Sequence, residues 1–261
     1  MISRRKFIYS MLGAGAGAAT TSLWSASTPF PGACVHRKVK FAGPSGWVGK
    51  KILFITDIHY SNSFGVIDAR ELNRFVHECR PDAILIGGDL AQTPKTDLSG
   101  FFSTWAPSCP TFFSPGNHDV FRGKWMSPVL SQAKEAGLHI LCNTDEKWDG
   151  LTFIGFPSAL VGPQKYSLLD QTGLKIVMGH EPDVWDFFTQ PDLLHFAGHT
   201  HGGQIKPFGQ IWFLPTLGRK YVQGTFSRAQ NNHLVVSAGV GYTGVDFRMN
   251  CPPEIVSVEF I

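Results

Sequence analysis

The chain has 261 residues, a length that suits one large domain or two small ones and excludes a short peptide, a coiled coil or a repeat array. Its 43% hydrophobic and 16% charged residues are typical of a packed globular protein. Three basic residues lie at positions 4–6, and without them the 20 remaining basic residues equal the 20 acidic ones. A body with no net charge gives no cationic face for nucleic acid, so we expect no nucleic-acid partner.

The first 27 residues have the layout of an export signal. Arg4, Arg5 and Lys6 precede a weakly apolar, glycine-rich and alanine-rich stretch at 11–19, and small residues follow at 25–27. The paired arginines resemble a twin-arginine signal, which implies the twin-arginine export machinery as a partner. We therefore expect residues 1–27 to be a signal or anchor, and the protein to work in the periplasm or at the outer face of a bacterial cytoplasmic membrane. The stretch is short for a membrane span, and whether it is cleaved stays open.

Residues 28–47 are expected to form a linker or lead strand before a domain at 48–261. The five cysteines are widely spaced with no C-x-x-C, so they match neither a disulfide framework nor a thiolate zinc site. We interpret them mainly as packing residues. For an exported protein, the formation of one or two disulfide bridges stays an open alternative. They are Cys34, Cys79, Cys109, Cys142 and Cys251.

Five short apolar runs each end in metal-ligand residue types. Continuous apolar runs bounded by glycine are typical of strands that are buried on both faces. Ligands gather at the carboxyl ends of strands in open α/β sheets, so the five ends are expected to converge on one cleft. The runs at 52–55, 83–86, 111–113, 174–178 and 193–197 lead to Asp57 and His59, to Asp89, to Asn117 and His118, to His180, and to His199 and His201.

Helical patterns between these runs predict an α/β fold. Residues 68–79 place apolar side chains on one helical face and stop before Pro81, and Ser127 followed by Pro128 predicts the start of a helix that ends near Gly137. After Gly202 the runs at 210–214, 234–237 and 255–260 are β-type. They predict a second sheet packed on the first.

The candidate ligands supply oxygen and imidazole nitrogen, a mixture that suits Zn, Mn or Fe. Seven ligands are too many for one tetrahedral site, so we expect two divalent or trivalent ions. Two ions that share a carboxylate suit hydrolysis of a phosphate ester by metal-activated water. His118 would then remain to protonate the leaving oxygen.

The ordered motifs D-x-H, G-D, G-N-H-D, G-H and G-H-x-H, within residues 51–204, resemble those of the calcineurin-like metallophosphoesterases. The resemblance implies two mixed β-sheets flanked by helices in a four-layer sandwich. It also implies that Asp89 bridges the ions and that His118 is the catalytic histidine. The first metal would be held by Asp57, His59 and His201, and the second by Asn117, His180 and His199. The stretches at 198–204, 215–221 and 250–254 resemble the exported or membrane-associated bacterial phosphodiesterases of that family.

One position departs from the family pattern. Members often carry an acid three residues after the bridging aspartate, where it orients the catalytic histidine, but Gln92 stands there in this chain. The group that orients His118 is therefore unassigned. Asp119 is too close in sequence to be given that role automatically.

Two further segments have more than one interpretation. Residues 239–244 match G-x-G-x-x-G, but residues 245–261, with Pro252 and Pro253, cannot supply the rest of a dinucleotide-binding unit, so we interpret them as a loop bordering the cleft. The apolar run at 212–214, with Phe208 nearby, is expected to be a core strand. If exposed, it would favour a lipid-bearing substrate. Arg219 and Lys220 could neutralise phosphate or lie on solvated surface.

Together these patterns predict a metal-dependent phosphodiesterase or pyrophosphate-cleaving enzyme that forms no phosphoenzyme. Its substrate would be a small phosphate ester or a lipid, with peripheral membrane contact left open. Two alternatives remain. One is a phosphomonoesterase acting on nucleotides or phosphoproteins, and the other is an exported protein that binds metal or phosphate without turnover.

Overall fold

The computed structural model describes residues 34–61, 69–121 and 126–261. The export signal expected at 1–27 lies outside the described residues. Within the described part of the chain no helix has both the length and the apolar character that crossing a membrane requires. All five cysteines are unbridged, and only Cys79 and Cys251 are fully buried.

The described chain forms twelve strands and three α-helices. The strands are β1 Val35–Phe41, β2 Lys51–Ile55, β3 Ala83–Ile86, β4 Thr111–Phe113, β5 His139–Ile140, β6 Thr144–Trp148, β7 Leu151–Phe156, β8 Lys175–Gly179, β9 Leu193–Ala197, β10 Gly224–Arg228, β11 Asn232–Val236 and β12 Glu254–Phe260. The helices are α1 Ala69–Cys79, α2 Ser99–Phe102 and α3 Pro128–Glu135. Short 3-10 helices lie at Ser45–Trp47, Tyr166–Asp170, Pro182–Phe187, His201–Gly203 and Pro207–Gly209.

The strands form two mixed sheets of six. The first has the order β1-β12-β2-β3-β4-β5 and the second the order β10-β11-β9-β8-β7-β6. Strands β2, β3 and β4 are parallel neighbours, with Phe54 beside Leu85 and Leu85 beside Phe112. In the second sheet β7, β8 and β9 are parallel. Each sheet therefore delivers several carboxyl ends to one edge, as parallel pairing requires.

The two sheets pack face to face through aromatic side chains. Phe112 of the first sheet stacks on Phe153 of the second, with ring centroids 4.2 Å apart and planes at 9°. Phe54 and Phe196 meet with centroids 5.1 Å apart. On the outer face of the first sheet, α1 and α3 bury a separate apolar cluster. The α/β fold of two packed mixed sheets with flanking helices is therefore confirmed.

Helices α1 and α3 form as their sequence patterns predict. Helix α1 buries Leu72, Phe75, Val76 and Cys79 on one face. The Ser127 side chain accepts a hydrogen bond from the Leu130 N–H at the start of α3, and a proline at the first helical position has no N–H to leave unpaired.

The division into sheets differs from the prediction. The second sheet begins at Thr144–Trp148, not after Gly202, and the last strand, Glu254–Phe260, belongs to the first sheet between β1 and β2. The predicted strand at 210–214 is wrong, since that segment has no strand and stands partly exposed. Apolar runs indicate burial between layers, but they do not reveal which strand is the hydrogen-bonded neighbour.

Candidate metal centre

The five loops that follow β2, β3, β4, β8 and β9 converge at the shared edge of the two sheets. Three overlapping groups of side chains there have ligand atoms within 4.8 Å of one another. The groups are Asp57 with His59 and His201, His59 with Asp89 and His118, and Asp57 with Asp89 and His180. The first sheet supplies Asp57, His59, Asp89 and His118, and the second supplies the other two, so the centre lies between the sheets.

Asp89 is the central carboxylate of this cluster. Its Oδ2 lies 3.2 Å from Nε2 of His180 and 3.5 Å from Nε2 of His59. Its Oδ1 accepts a hydrogen bond from the main-chain N–H of His118 at 2.8 Å. One carboxylate thus faces histidines from both sheets and also holds the loop that carries His118.

Asp57 lies on the other side of the cluster and is completely buried. Its Oδ1 is 3.4 Å from Nε2 of His201 and 3.9 Å from Nε2 of His180. Both carboxylate oxygens accept from the main-chain N–H of His199, at 3.0 Å each. Residue 198 must be glycine because a Cβ there would collide with the Asp57 carboxylate.

Several nitrogen and oxygen atoms in the cluster lack the partners that buried polar atoms require. Nε2 of His59 lies 3.1 Å from Nε2 of His201. Within the described chain, His59 Nδ1 and the buried Oδ1 of Asn117 have no hydrogen-bond partner. Buried polar atoms are normally satisfied, and imidazole nitrogens facing each other suit a shared cation. The donor set therefore fits bound metal ions.

Two histidines are oriented by main-chain carbonyls. Nδ1 of His180 lies 2.9 Å from the Gly87 oxygen, and Nε2 of His199 lies 2.9 Å from the Thr216 oxygen. Their rings meet edge to face with centroids 5.0 Å apart. A carbonyl that accepts one ring N–H fixes the tautomer and leaves the other nitrogen as a lone-pair donor. His199 thus lies beside His180 without belonging to any of the three tight groups.

The carbonyl oxygen of Gln92 orients the His118 ring, lying 2.9 Å from its Nδ1. The main chain thus does what an acidic side chain at position 92 would do, and Nε2 remains available. The Asp119 carboxylate is engaged elsewhere, since its oxygens accept the N–H groups of Ala91 and Gly116 at 2.9 Å each. Asp119 therefore joins the loops after β3 and β4.

Burial and neighbouring charges set the pKa values in the cluster. Burial raises the pKa of Asp57 to about 6 and lowers that of His59 to about 3. Burial opposes ionisation of Asp89 and His180, but their mutual attraction outweighs it, lowering the pKa of Asp89 and raising that of His180. Burial and the neighbouring His59 lower the pKa of His201. At neutral pH this leaves Asp89 charged and His59 and His201 unprotonated, the forms that bind metal ions, whereas His180 has to release a proton before it can bind one.

The main chain is strained at most of the candidate ligands. Asp57, His59, Asp89, His199 and His201 all have φ between 49° and 68°. This left-handed region costs a non-glycine residue about 1–2 kcal/mol. Such strain persists only where surrounding contacts over-determine the conformation, and it concentrates at functional sites.

One supporting residue beside the cluster escaped the sequence analysis. Glu181 is fully buried, and its carboxylate accepts from the Ser158 hydroxyl and, at 2.8 Å, from the Ala159 N–H. It ties the loop after β7 to the loop that carries His180. The only sign of this role in the sequence was the position of Glu181 directly after the candidate ligand His180.

Comparison with known proteins agrees with this geometry. The sequence model of the family described as calcineurin-like phosphoesterase matches residues 50–203, more than half of the chain. Phosphodiesterase YaeI of Escherichia coli is 30% identical over 81% of this chain and 82% of its own length. The match and the buried Asp/His cluster define the protein as a metal-dependent phosphoester hydrolase.

Two further bacterial relatives are similar. Uncharacterized metallophosphoesterase YkuE of Bacillus subtilis is 28% identical over 97% of this chain and 96% of its own length. Uncharacterized metallophosphoesterase Cj0846 of Campylobacter jejuni is 30% identical over 79% of this chain, but the matched part is only 58% of that longer protein. The chain belongs to the calcineurin-like phosphoesterase family, as its motifs predict.

Proposed function

We propose that the protein hydrolyses phosphodiester or pyrophosphate bonds with two bound ions, which could be Mn, Zn or Fe. The observation that carries the proposal is the position of Asp89 Oδ2, which faces His180 at 3.2 Å and His59 at 3.5 Å. A carboxylate placed between two sets of histidines suits a bridge between two ions. When bound, such a pair supplies an activated water and neutralises phosphoryl oxygens.

The chain's own residues divide the remaining work. Asp57, His59 and His201 would hold one ion, and Asn117, His180 and His199 the other. His118 would hold a proton at Nε2 for the leaving oxygen, because its Nδ1 is engaged by the Gln92 carbonyl at 2.9 Å. No covalent intermediate is needed in this scheme. The similarity to phosphodiesterase YaeI supports a diester over a monoester substrate.

An exposed apolar lip beside the centre supports a lipid-bearing substrate. We use the term apolar lip for Phe208, Ile211, Trp212 and Phe213. Phe208 is 88% and Phe213 70% exposed, so the expectation that this run is a core strand is wrong. Ile211, Trp212 and Phe213 of the lip line a shallow concavity of about 340 Å³ together with Leu214, and Arg219 lies at the same concavity. Apolar side chains beside a cation suit a phosphate that carries a hydrocarbon chain.

The apolar lip is directly connected to the candidate ligands. A Cβ at Gly203, two residues after His201, would lie 3.1 Å from the Ile211 side chain. The same loop supplies the Thr216 carbonyl that orients His199. Lys220 is a weaker candidate for phosphate binding than Arg219, because its Nζ is paired with Asp186 at 2.8 Å.

The export signal expected at residues 1–27 would place this activity outside the cytoplasm, where lipid phosphates are accessible at the membrane face. That location is part of the proposal. Fractionation of cells that produce the full chain tests it: recovery in the periplasm or with the membrane supports it, and recovery in the cytosol contradicts it.

The test of the activity compares bis(4-nitrophenyl) phosphate with 4-nitrophenyl phosphate in added Mn²⁺, with and without a chelator. We expect faster turnover of the diester and loss of both rates on chelation. Preference for the monoester would make the protein a phosphomonoesterase. Binding of Mn²⁺ without turnover of either ester would leave only the non-catalytic binding protein.

A further inference from the structure

Arg248 is a fully buried cation beneath the candidate metal centre that the proposed chemistry does not use. Burying a cation is costly unless hydrogen-bond acceptors surround it. Here the main-chain acceptors are oxygens from separate loops, at 2.6–3.5 Å from the guanidinium nitrogens. They belong to Ala238, Gly239, Gly241, His201 and Cys251.

The first of these loops supports the main chain of the D-x-H motif. It is the glycine loop, residues 239–244, whose G-x-G-x-x-G spacing has no dinucleotide-binding context. The Val240 N–H donates to the Thr56 oxygen at 3.1 Å, and the Gly241 N–H donates to the Asp57 oxygen at 2.7 Å. A Cβ at Gly241 would collide with the Ile58 carbonyl, so only glycine allows this approach. The glycine loop therefore sets the position of the segment that carries Asp57 and His59.

The second of these loops carries His201. Nη1 of Arg248 donates to the His201 main-chain oxygen at 3.4 Å, and Nη2 lies 3.3 Å from Nδ1 of the His201 ring. The Cys251 thiol reaches the same oxygen at 3.2 Å. One guanidinium thus contacts both the glycine loop and the loop of a third candidate ligand.

We propose that Arg248 is a positioning residue for one half of the metal centre. By bridging the glycine loop to the His201 carbonyl, it holds Asp57, His59 and His201 in one arrangement. The other half depends on different groups, since the Gly87 and Thr216 carbonyls orient its two histidines. A planar guanidinium with five donors spans two loops, whereas an ammonium acts from a single point. The inference rests on the two-ion centre of the proposed function.

The experiment measures binding of Mn²⁺ alone by titration calorimetry to wild type, Arg248→Met and Arg248→Lys. We expect two equivalents in the wild type. In both variants we expect one equivalent to be retained and the other to weaken by about 10- to 100-fold, the usual cost of losing a group that orients metal ligands. Circular dichroism melts of the metal-free proteins confirm that each variant is folded.

Lys175 offers a matched control. It is also buried, and its Nζ also donates to main-chain carbonyls, those of Gln171 and Gly173 at 2.9 and 3.1 Å. It lies at the start of β8, about 16 Å along the strand from the end that carries His180. Lys175→Met should lower the melting temperature and leave both Mn²⁺ equivalents intact.

A double variant identifies the affected half. Adding Arg248→Lys to His201→Ala, which already disrupts that half, should cause no further loss of Mn²⁺. Loss of the remaining Mn²⁺ equivalent in the double variant would overturn the proposal.

Other results also decide it. The proposal is overturned if Arg248→Lys binds both Mn²⁺ equivalents with wild-type affinity, and this result counts even if Arg248→Met does not fold. It is also overturned if Lys175→Met weakens Mn²⁺ binding as much as the Arg248 variants do. These outcomes leave the proposed function standing. Fewer than two equivalents in the wild type would instead contradict the two-ion function and this inference together.

Discussion

The metal-ligand cluster and the apolar lip are adjacent, but they are built in opposite ways. The cluster is buried, lies directly after strands, and is held by hydrogen bonds to the main chain, such as that between the His180 ring and the Gly87 oxygen. The apolar lip lies on the segment from Pro207 to the start of β10, which has no strand of its own, and its Phe208 is almost fully exposed. Reaction chemistry needs donor atoms fixed to within about 0.5 Å. Contact with a hydrocarbon chain needs only accessible apolar area, so an irregular loop suffices.

The largest expected effect comes from the cluster. His199→Ala should remove a metal ion and activity together and lower kcat by about 10³-fold or more, because an ion contributes several kcal/mol to the transition state. His118→Ala should keep both ions and lower kcat by about 10²- to 10⁴-fold through loss of the proton donor. Metal analysis of the purified variants, beside their rates on a diester, checks both.

His139→Ala is the control for these two variants. His139 lies on the short strand β5, outside the cluster, and its Nδ1 is 2.9 Å from the Glu146 carboxylate. Its replacement should change neither metal content nor rate. Equal metal loss in His118→Ala and His199→Ala would contradict the division of roles between the two histidines.

The apolar lip should give an intermediate effect that depends on the substrate. Trp212→Ser combined with Phe213→Ser should raise KM about 5- to 30-fold for dodecyl 4-nitrophenyl phosphate, because the lost apolar contact is worth roughly 1–2 kcal/mol. KM for methyl 4-nitrophenyl phosphate, which lacks the chain, should be unchanged. Steady-state kinetics below the micellar concentration of the dodecyl ester measures both.

Val48→Ser provides the matched control, since Val48 is 60% exposed but precedes β2, at the opposite end of that strand from the centre. It should alter neither KM. An equal rise in KM for both esters in the double variant would show that the apolar lip supports the centre's structure and does not contact the chain.

The smallest expected effect concerns stability alone. Ser127 caps α3, and its hydroxyl also donates to the Asp119 oxygen at 2.6 Å. Ser127→Ala should cost about 1 kcal/mol and lower the melting temperature by about 2–4 °C. We expect kcat within a factor of two of wild type, because Asp119 keeps its own bonds to Ala91 and Gly116. A thermal melt and a rate measurement suffice.

Ser131→Ala is the comparison on the same helix. Its hydroxyl makes only a 3.4 Å bond back to the Ser127 oxygen, so its loss should have little effect on the melting temperature. If Ser131→Ala costs as much as Ser127→Ala, the capping interaction is not what stabilises α3.

Much of the fold and of the candidate centre could be predicted because the informative signals are local. An apolar run followed by glycine and a donor, as at Asp57 or His180, indicates a buried strand and what stands at its end. The sequence carries no such local signal for which strands become neighbours or for which main-chain carbonyls accept a hydrogen bond. The second sheet was therefore predicted to begin too late, and the Gln92 carbonyl that orients His118 was not foreseen, because every residue has a carbonyl.

The sequence by itself determined the α/β class, the helices α1 and α3, the family, and the set of candidate donors. Each depends on residue type and spacing along the chain. Only the tertiary structure decided that the donors come from two sheets, that Asp89 faces histidines of both, that Trp212 and Phe213 are exposed, and that Arg248 lies beneath His201. These depend on which distant segments pack together, and that is set by the fold as a whole.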